Sequence, residues 1–382
     1  MGGFKQPFQI KAYKNPHDVE LVYICNNDMG RKRLGTVNEK DQTFTLALPH
    51  RWNSKEHGND WYLSFPDPRW KACYLENALE ILDQPGEWYL DRSTGILSYW
   101  PRPGEDLAKT EVVAPVAQKT LLAVIGTRER PVRNLHFKGN RIEHLDWMPP
   151  DWGYMGLFCC TIDTGPKDRP QHGFIDAAVE FEHARSCHFT DGGIAHVGGM
   201  GLCLRRGTVG NIIEGNEIAD VGAGGIGVSE IRQKPIGQRP WNPPPQPGDY
   251  KGYRIANNYI HHCGRDYFGG VGIAVMMMQN SVVSHNLVHD TAYSGIQSTK
   301  FHGGRLARAV SRPNDLNDTA VPGRQMELIR GPPLGNRRIV QDRVLAGIRL
   351  LPQERLLVGR LQSCPSLHNF DELRRQCSVL QE

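Results

Sequence analysis

His144, His196, Asp220, His262 and Asp290 recur at one position of a repeating phrase in a chain of 382 residues, and their side chains could carry proton-transfer chemistry. Each stands two residues after an apolar one, Ile142, Ile194, Ile218, Ile260 or Val288. Two residues before those lie Asn140, Gly192, Asn216, Asn258 and Asn286. One column is therefore ionisable and the other almost all amide. Carboxyls interleaved with imidazoles are the parts of general acid and base catalysis, which needs one group to give a proton and another to take one. Asp266 in CGRDYFGG and Glu230 at the end of IGVSE add two carboxyls beside the same phrase. The competing reading is an Asx turn, in which Asp220 or Asp290 only caps backbone amides. Asp266 has its own alternative, an ion pair with the adjacent Arg265.

The elements that must position these residues follow from the repeat. The phrase returns as IADVGAGGI at 218–226, IHHCGRDYFGGVGI at 260–273 and VHDTAYSGI at 288–296, and HFKGNRIEHL and HFTDGGIAHVGGMGL fit the same frame upstream. A period of roughly two dozen residues, with short β-branched runs and no amphipathic helix, predicts an all-β chain wound as a parallel β-helix. The Asn column is expected to be structural, its amides bonding buried backbone inside a bend. Gly at 224–225, 269–270 and 295 is expected at corners with positive φ. Alternation along the strand predicts that His261 and His289 point away from the face of the ionisable column. Successive rungs lie about 4.8 Å apart, so Asp220 and Asp290, two rungs apart, would be separated by about 9.6 Å at the backbone. Asp266 belongs to the rung between them.

Composition and charge bound the rest. A hydrophobic content of 39% with 41 Gly and 26 Pro describes a turn-rich globular β protein rather than a membrane one, and no apolar run reaches the ~18 residues of a transmembrane helix. The N-terminal segment lacks a signal-peptide core. Nine cysteines without a CxxC pattern predict buried thiols rather than disulfides or a zinc site, and no metal or other cofactor is expected. Of the 45 Lys and Arg and 41 Asp and Glu, residues 301–382 hold 13 Arg, no Lys and 8 acids, so the basic balance belongs to the tail. Those Arg are scattered among Pro, Leu and acids with few aromatics, which argues against nucleic-acid binding. The tail lacks the repeat and reads as irregular, a fusion or a shifted reading frame. Three units are expected: a β-rich module over 1–115 with a hairpin at EWYLDRSTGILSYW, the parallel β-helix over 116–297, and the Arg-rich tail over 298–382. Long interruptions at 146–173 and 232–252 are expected to hang from the coil as binding loops.

The run YLENALEILDQPGEWYLDRSTGILSYWPRPGED, followed by HVGGMGL, IADVGAGGIGVSE and VHDTAYSGI, resembles the right-handed parallel β-helix glycosidases of glycoside hydrolase family 141. That family includes α-L-fucosidases and xylanases acting on plant cell-wall polysaccharides. The resemblance covers about residues 60–297 and departs from the family at both ends, where an opening portion with its signal region and the later Gly-Trp-rich rungs are missing, as in a fragment. It implies hydrolysis of a plant or algal polysaccharide or oligosaccharide and a secreted or periplasmic location. A monomer that binds neither nucleic acid nor membrane is expected. Glycoside hydrolysis needs two carboxyls, about 5–5.5 Å apart for retention or 6.5–9.5 Å for inversion. Asp220, Asp266, Asp290 and Glu230 are the candidates, with acid, base and nucleophile unassigned. His196 and His262 are candidates for binding sugar hydroxyls. Trp241, Tyr267 and Tyr293 are candidates for stacking on pyranose rings, as are Trp147, Trp152 and Tyr154. Two other readings stay open. One is a carbohydrate-binding coil without catalysis. The other is a polysaccharide lyase, which would add Ca²⁺ and use Arg205, Arg206 or Arg265 as base.

Overall fold

In the computed structural model the described residues are 9–24, 29–47, 72–115, 117–118, 120–151, 153–156, 161–162, 173–229, 249–275 and 278–298, with short strands at 301–302, 305–307, 310–311, 348–351 and 355–358. Among them the secondary structure is strand apart from one 3₁₀ turn, Leu79–Ile81. The coil is made of three parallel sheets. Sheet I stacks His136–Lys138, His188–Thr190, Ile212–Glu214, Arg254–Ala256, Val282–Ser284 and Arg305–Ala307. Sheet II stacks Ala117–Gln118, Arg141–Asp146, Gly193–Val197, Glu217–Val221, Tyr259–Cys263, Leu287–Thr291 and Val310–Ser311. Sheet III stacks Leu122–Ile125, Ala177–Glu182, Met200–Leu204, Ile226–Val228, Ile273–Val275 and Ile296–Ser298.

The register is the one the repeat implies: Ile142, Ile194, Ile218, Ile260 and Val288 pair in one column of sheet II. They point inward with Phe181, Leu202, Ile226 and Ile273 of sheet III and Phe189, Ile213, Ile255 and Val283 of sheet I, and close a single core. At the bend from sheet I to sheet II the Asn side chains form a ladder. Asn258 Nδ2 donates to Asn286 Oδ1 at 2.9 Å and to the Ile213 carbonyl at 2.9 Å, while Asn258 Oδ1 accepts from the Asn216 backbone N–H at 3.0 Å. A second, unforeseen ladder runs beside it, where the Cys187 N–H donates to Asn211 Oδ1 and the Tyr253 N–H to Ser281 Oγ.

Two expectations about backbone and face are corrected. Gly224, Gly225, Gly269, Gly270 and Gly295 do not have positive φ. Gly225 and Gly270 instead allow close approach of stacked rungs, since a Cβ on Gly225 would come 2.6 Å from the Gly272 carbonyl oxygen and one on Gly270 2.8 Å from that of Ala223. The left-handed conformation falls on the ionisable column itself: His144, His196, Asp220, His262 and Asp290 have φ of 59°, 54°, 49°, 53° and 50°. That kink breaks alternation, so His261 and His262 both face outward before Cys263 returns to the core, and His289 shares their face.

A five-stranded antiparallel sheet stands beside the coil. Its main path runs Tyr154–Gly156, Met29–Asn38, Glu20–Ile24, Ala72–Glu76, and Thr43–Leu46 pairs with the second strand. The expected hairpin pairs Trp88–Asp91 with Ile96–Tyr99. Asp91 Oδ1 closes it by accepting from the Ser93 N–H at 3.0 Å and the Ser93 hydroxyl at 2.6 Å. The parallel coil also continues past Ile296, through the short strands Phe301–His302, Arg305–Ala307 and Val310–Ser311.

Asn258 joins three rungs from a fully buried position, so Asn258→Ala leaves several buried amide and carbonyl groups without partners at about 1–3 kcal/mol each. Denaturant unfolding of this variant should show a loss of at least about 3 kcal/mol. A loss below about 1 kcal/mol would mean that the ladder does not hold the coil together.

Candidate functional site

Sheet II presents the ionisable column outward. His196 Nδ1 lies 2.8 Å from Asp220 Oδ2, and the opposite oxygen of Asp220 meets Arg265 Nε at 3.3 Å. The His196 ring stacks on that of His144, with centroids 5.0 Å apart. Two rungs on, Asp290 Oδ2 is 2.8 Å from His289 Nδ1 and 4.0 Å from His262 Nε2. The left-handed backbone accounts for the residue types, because Asp, Asn and His tolerate positive φ better than most side chains. Conformation thus selects the same residues that acid and base chemistry would use.

Beside this column runs a second row that alternation had hidden. Arg141 reaches from its own rung across Gly193 to Glu217, at 3.6 Å, and Glu217 lies 3.6 Å from His261 Nε2. His261 stacks in parallel on His289 at 5.2 Å, and its Nδ1 is 2.7 Å from His262 Nδ1. One of those two nitrogens must be unprotonated for the contact to be a hydrogen bond. Burial lowers the His261 pKa and the neighbouring His262 and His289 lower it further, which favours neutral His261 as that acceptor. Tyr259 lies against both rings, and its hydroxyl is 3.1 Å from His289 Nε2.

Asp266 lies elsewhere. It follows the Tyr259–Cys263 strand but is 4% exposed, in the seam where the antiparallel sheet meets the coil, with an oxygen against Gly222. Arg31 of that sheet, 6% exposed, pairs with Glu20 at 3.0 Å and with Glu76, and lies 5.7 Å over the Tyr267 ring. Burial pushes the Tyr74 hydroxyl up to about 12, with Arg31 opposing the shift and Asp266 adding to it. Tyr267 is 3% exposed, packed edge-on against Trp147 and Tyr154. Trp147 Nε1 donates to Asp176 Oδ2 at 3.0 Å, and Tyr293 is partly buried against the same cluster. These rings hold the seam and present little face to a ligand. The structure therefore brings Asp220, Asp290, His196 and His262 onto one outward face and sets Asp266, Tyr267 and Tyr293 apart from it. Glu230, Trp241 and Trp152 lie outside the described residues, as do Met276 and Met277, while Met278 packs in the core. Among the described residues, no group of three or more His, Cys, Asp or Glu is arranged to hold a metal ion.

Comparison with known proteins agrees with this architecture. Residues 33–102 match the GH141 insertion domain, and residues 177–308 match the right-handed β-helix region. A solved structure described as a glycoside hydrolase superposes with a TM-score of 0.62 at 24% identity, over 75% of this chain and 52% of that one. This chain thus spans about half the length of that structure. No curated protein sequence matches. The chain is a right-handed parallel β-helix protein, similar to GH141 proteins in its inserted β module.

Arg31 is the buried cation between Glu20 and Glu76, so Arg31→Met leaves buried Glu20 with only Arg33 at 3.8 Å and should cost about 3 kcal/mol. Arg141→Met on the exposed face should leave the unfolding midpoint unchanged. Equal midpoints for the two variants in denaturant titration would show that the seam is not held by this network.

Proposed function

We propose that the chain is a glycoside hydrolase acting on plant or algal cell-wall polysaccharide, with Asp220 and Asp290 as its carboxyl pair. The observation that carries this reading is their shared outward column, two rungs apart on sheet II. Two rungs of about 4.8 Å separate the backbones by about 9.6 Å, just past the 6.5–9.5 Å carboxyl spacing of inverting enzymes and far from the 5–5.5 Å of retaining ones, so inversion is the expected stereochemistry. In that scheme the carboxylate activates a water on one side of the sugar while an acid protonates the departing oxygen on the other. Arg265 and His196 hold Asp220, and His289 and His262 flank Asp290, so each carboxyl has fixed neighbours rather than a free rotor. The match to the GH141 insertion domain and the likeness to a glycoside hydrolase support the same class. Asp266 is assigned to the seam, where its burial beside Arg31 and Tyr74 suits locking the module to the coil.

A second reading has one specific observation in its favour. Every residue of the column is left-handed, so Asp and His would stand there even in a coil that only binds carbohydrate.

One experiment separates the two. Asp220→Asn and Asp290→Asn keep the side-chain shape and suit positive φ, so both variants should fold with unfolding midpoints near that of the parent. Release of reducing ends from a panel of plant and algal polysaccharides should fall by at least about 10²-fold in each. Full activity in both variants makes the column structural, and polysaccharide binding without turnover by the parent protein marks the binding coil.

A further inference from the structure

Tyr259 differs from every other aromatic of the described residues. It is 39% exposed, whereas Trp147, Tyr154, Tyr253 and Tyr267 are buried. It stands on the outward face of sheet II, one rung from Asp220 and one rung from Asp290. Its ring is held against His261 at 4.4 Å and His289 at 5.4 Å. Three groups then line up: the Asp290 carboxylate 2.8 Å from His289 Nδ1, and His289 Nε2 3.1 Å from the Tyr259 hydroxyl. A carboxylate that accepts from Nδ1–H fixes the ring and leaves Nε2 to exchange a proton with a hydroxyl.

We infer that Asp290, His289 and Tyr259 form a carboxylate–imidazole–phenol relay whose outer hydroxyl is the proton donor to the glycosidic oxygen. The inference rests on the hydrolase reading above and changes which atom meets the substrate: Tyr259 touches it, and Asp290 becomes a positioning residue. With His289 protonated, both ring nitrogens donate, Nδ1–H to Asp290 and Nε2–H to the Tyr259 oxygen. The phenolic hydrogen is then turned outward. Water attacks the anomeric carbon and gives one proton to the Asp220 carboxylate while the new carbon–oxygen bond forms. The glycosidic bond breaks with its electron pair on the departing oxygen, which takes the phenolic proton as Tyr259 takes the Nε2 proton. His289 is left neutral and still hydrogen-bonded to Asp290. The proton on Asp220 passes to solvent and one returns to His289, which restores the starting state. The remaining groups around His289 are His261, stacked on it, and His262, with Glu217 beyond His261. The ligand class is a pyranoside whose leaving group is a sugar hydroxyl, which departs poorly unless protonated.

Leaving-group dependence tests this. Tyr259→Phe removes one exposed oxygen and leaves the ring contacts in place. On the polysaccharide that the parent protein cleaves best, kcat should fall about 10²–10⁴-fold with KM little changed. On the 2,4-dinitrophenyl glycoside of the released sugar, whose leaving group needs no proton, the variant should stay within about 3-fold of the parent. His289→Gln should repeat the pattern. Unchanged polysaccharide turnover in Tyr259→Phe overturns the relay, and so does an equal loss on both substrates, which would mark a structural role. If Tyr259→Phe is inert while Asp290→Asn is inactive, the relay fails and the carboxyl pair stands. If the parent protein cleaves no polysaccharide, the hydrolase reading fails, and ¹⁵N NMR of His289 decides the geometry alone. The relay then requires a protonated Nδ1 and an Nε2 resonance that moves in Tyr259→Phe; an unmoved resonance overturns it.

Discussion

Parallel register between rungs is the constraint on which the rest of this molecule depends. Each strand of sheet II pairs with the next through identical positions, Ile142 to Ile194 to Ile218 to Ile260 to Val288, so side chains far apart in sequence become neighbours on one face. A slip of one residue would turn the whole outward row into the core. The Asn ladder guards against that slip, because each amide is matched to a backbone group of one particular neighbouring rung. Core and candidate site are therefore two sides of one register.

Most of the fold was legible because it repeats. A column read from five copies of a phrase averages away the ambiguity of any single strand, and the apolar, amide and ionisable columns all stand where the spacing put them. The hairpin at Trp88–Tyr99 was legible for a local reason, since Asp91 and Gly95 carry turn chemistry at the two ends of one five-residue run, DRSTG. The backbone at the ionisable column was not. Glycine was the expected carrier of positive φ, but the coil gives that conformation to Asp and His and uses its glycines for close approach. Once the kink is placed there, strict alternation from the inward Ile260 and Val288 fails, and His262 and Asp290 turn outward beside His261 and His289.

The seam was invisible for a different reason. Glu20 and Arg31 sit on paired strands, but Asp266 lies more than two hundred residues further along and shares no motif with them, so only tertiary packing brings it to the pair. Nothing in CGRDYFGG tells whether Asp266 faces water or protein. The same packing reverses the expectation for the aromatics: Trp147, Tyr154 and Tyr267 pack edge-on against one another beneath the antiparallel sheet. Tyr259, a plain strand residue in the sequence, is the one of these aromatics among the described residues that stands in the open.

Two sets of carboxyls thus live in opposite environments. Taking Asp266, Glu20 and Arg31 out of water carries a desolvation cost of several kcal/mol per ion, which their mutual pairing has to offset. Removing one partner of such a network leaves the others buried without compensation. Asp220 and Asp290 stand at the exposed face with imidazole and guanidinium neighbours at hydrogen-bond distance. Chemistry on an extended polymer also needs an open face, and sheet II offers one along the coil axis, whereas the seam is closed by the module that covers it. The same strand Tyr259–Cys263 serves both: its side chains reach outward at Tyr259, His261 and His262, and the turn that follows delivers Asp266 to the lock.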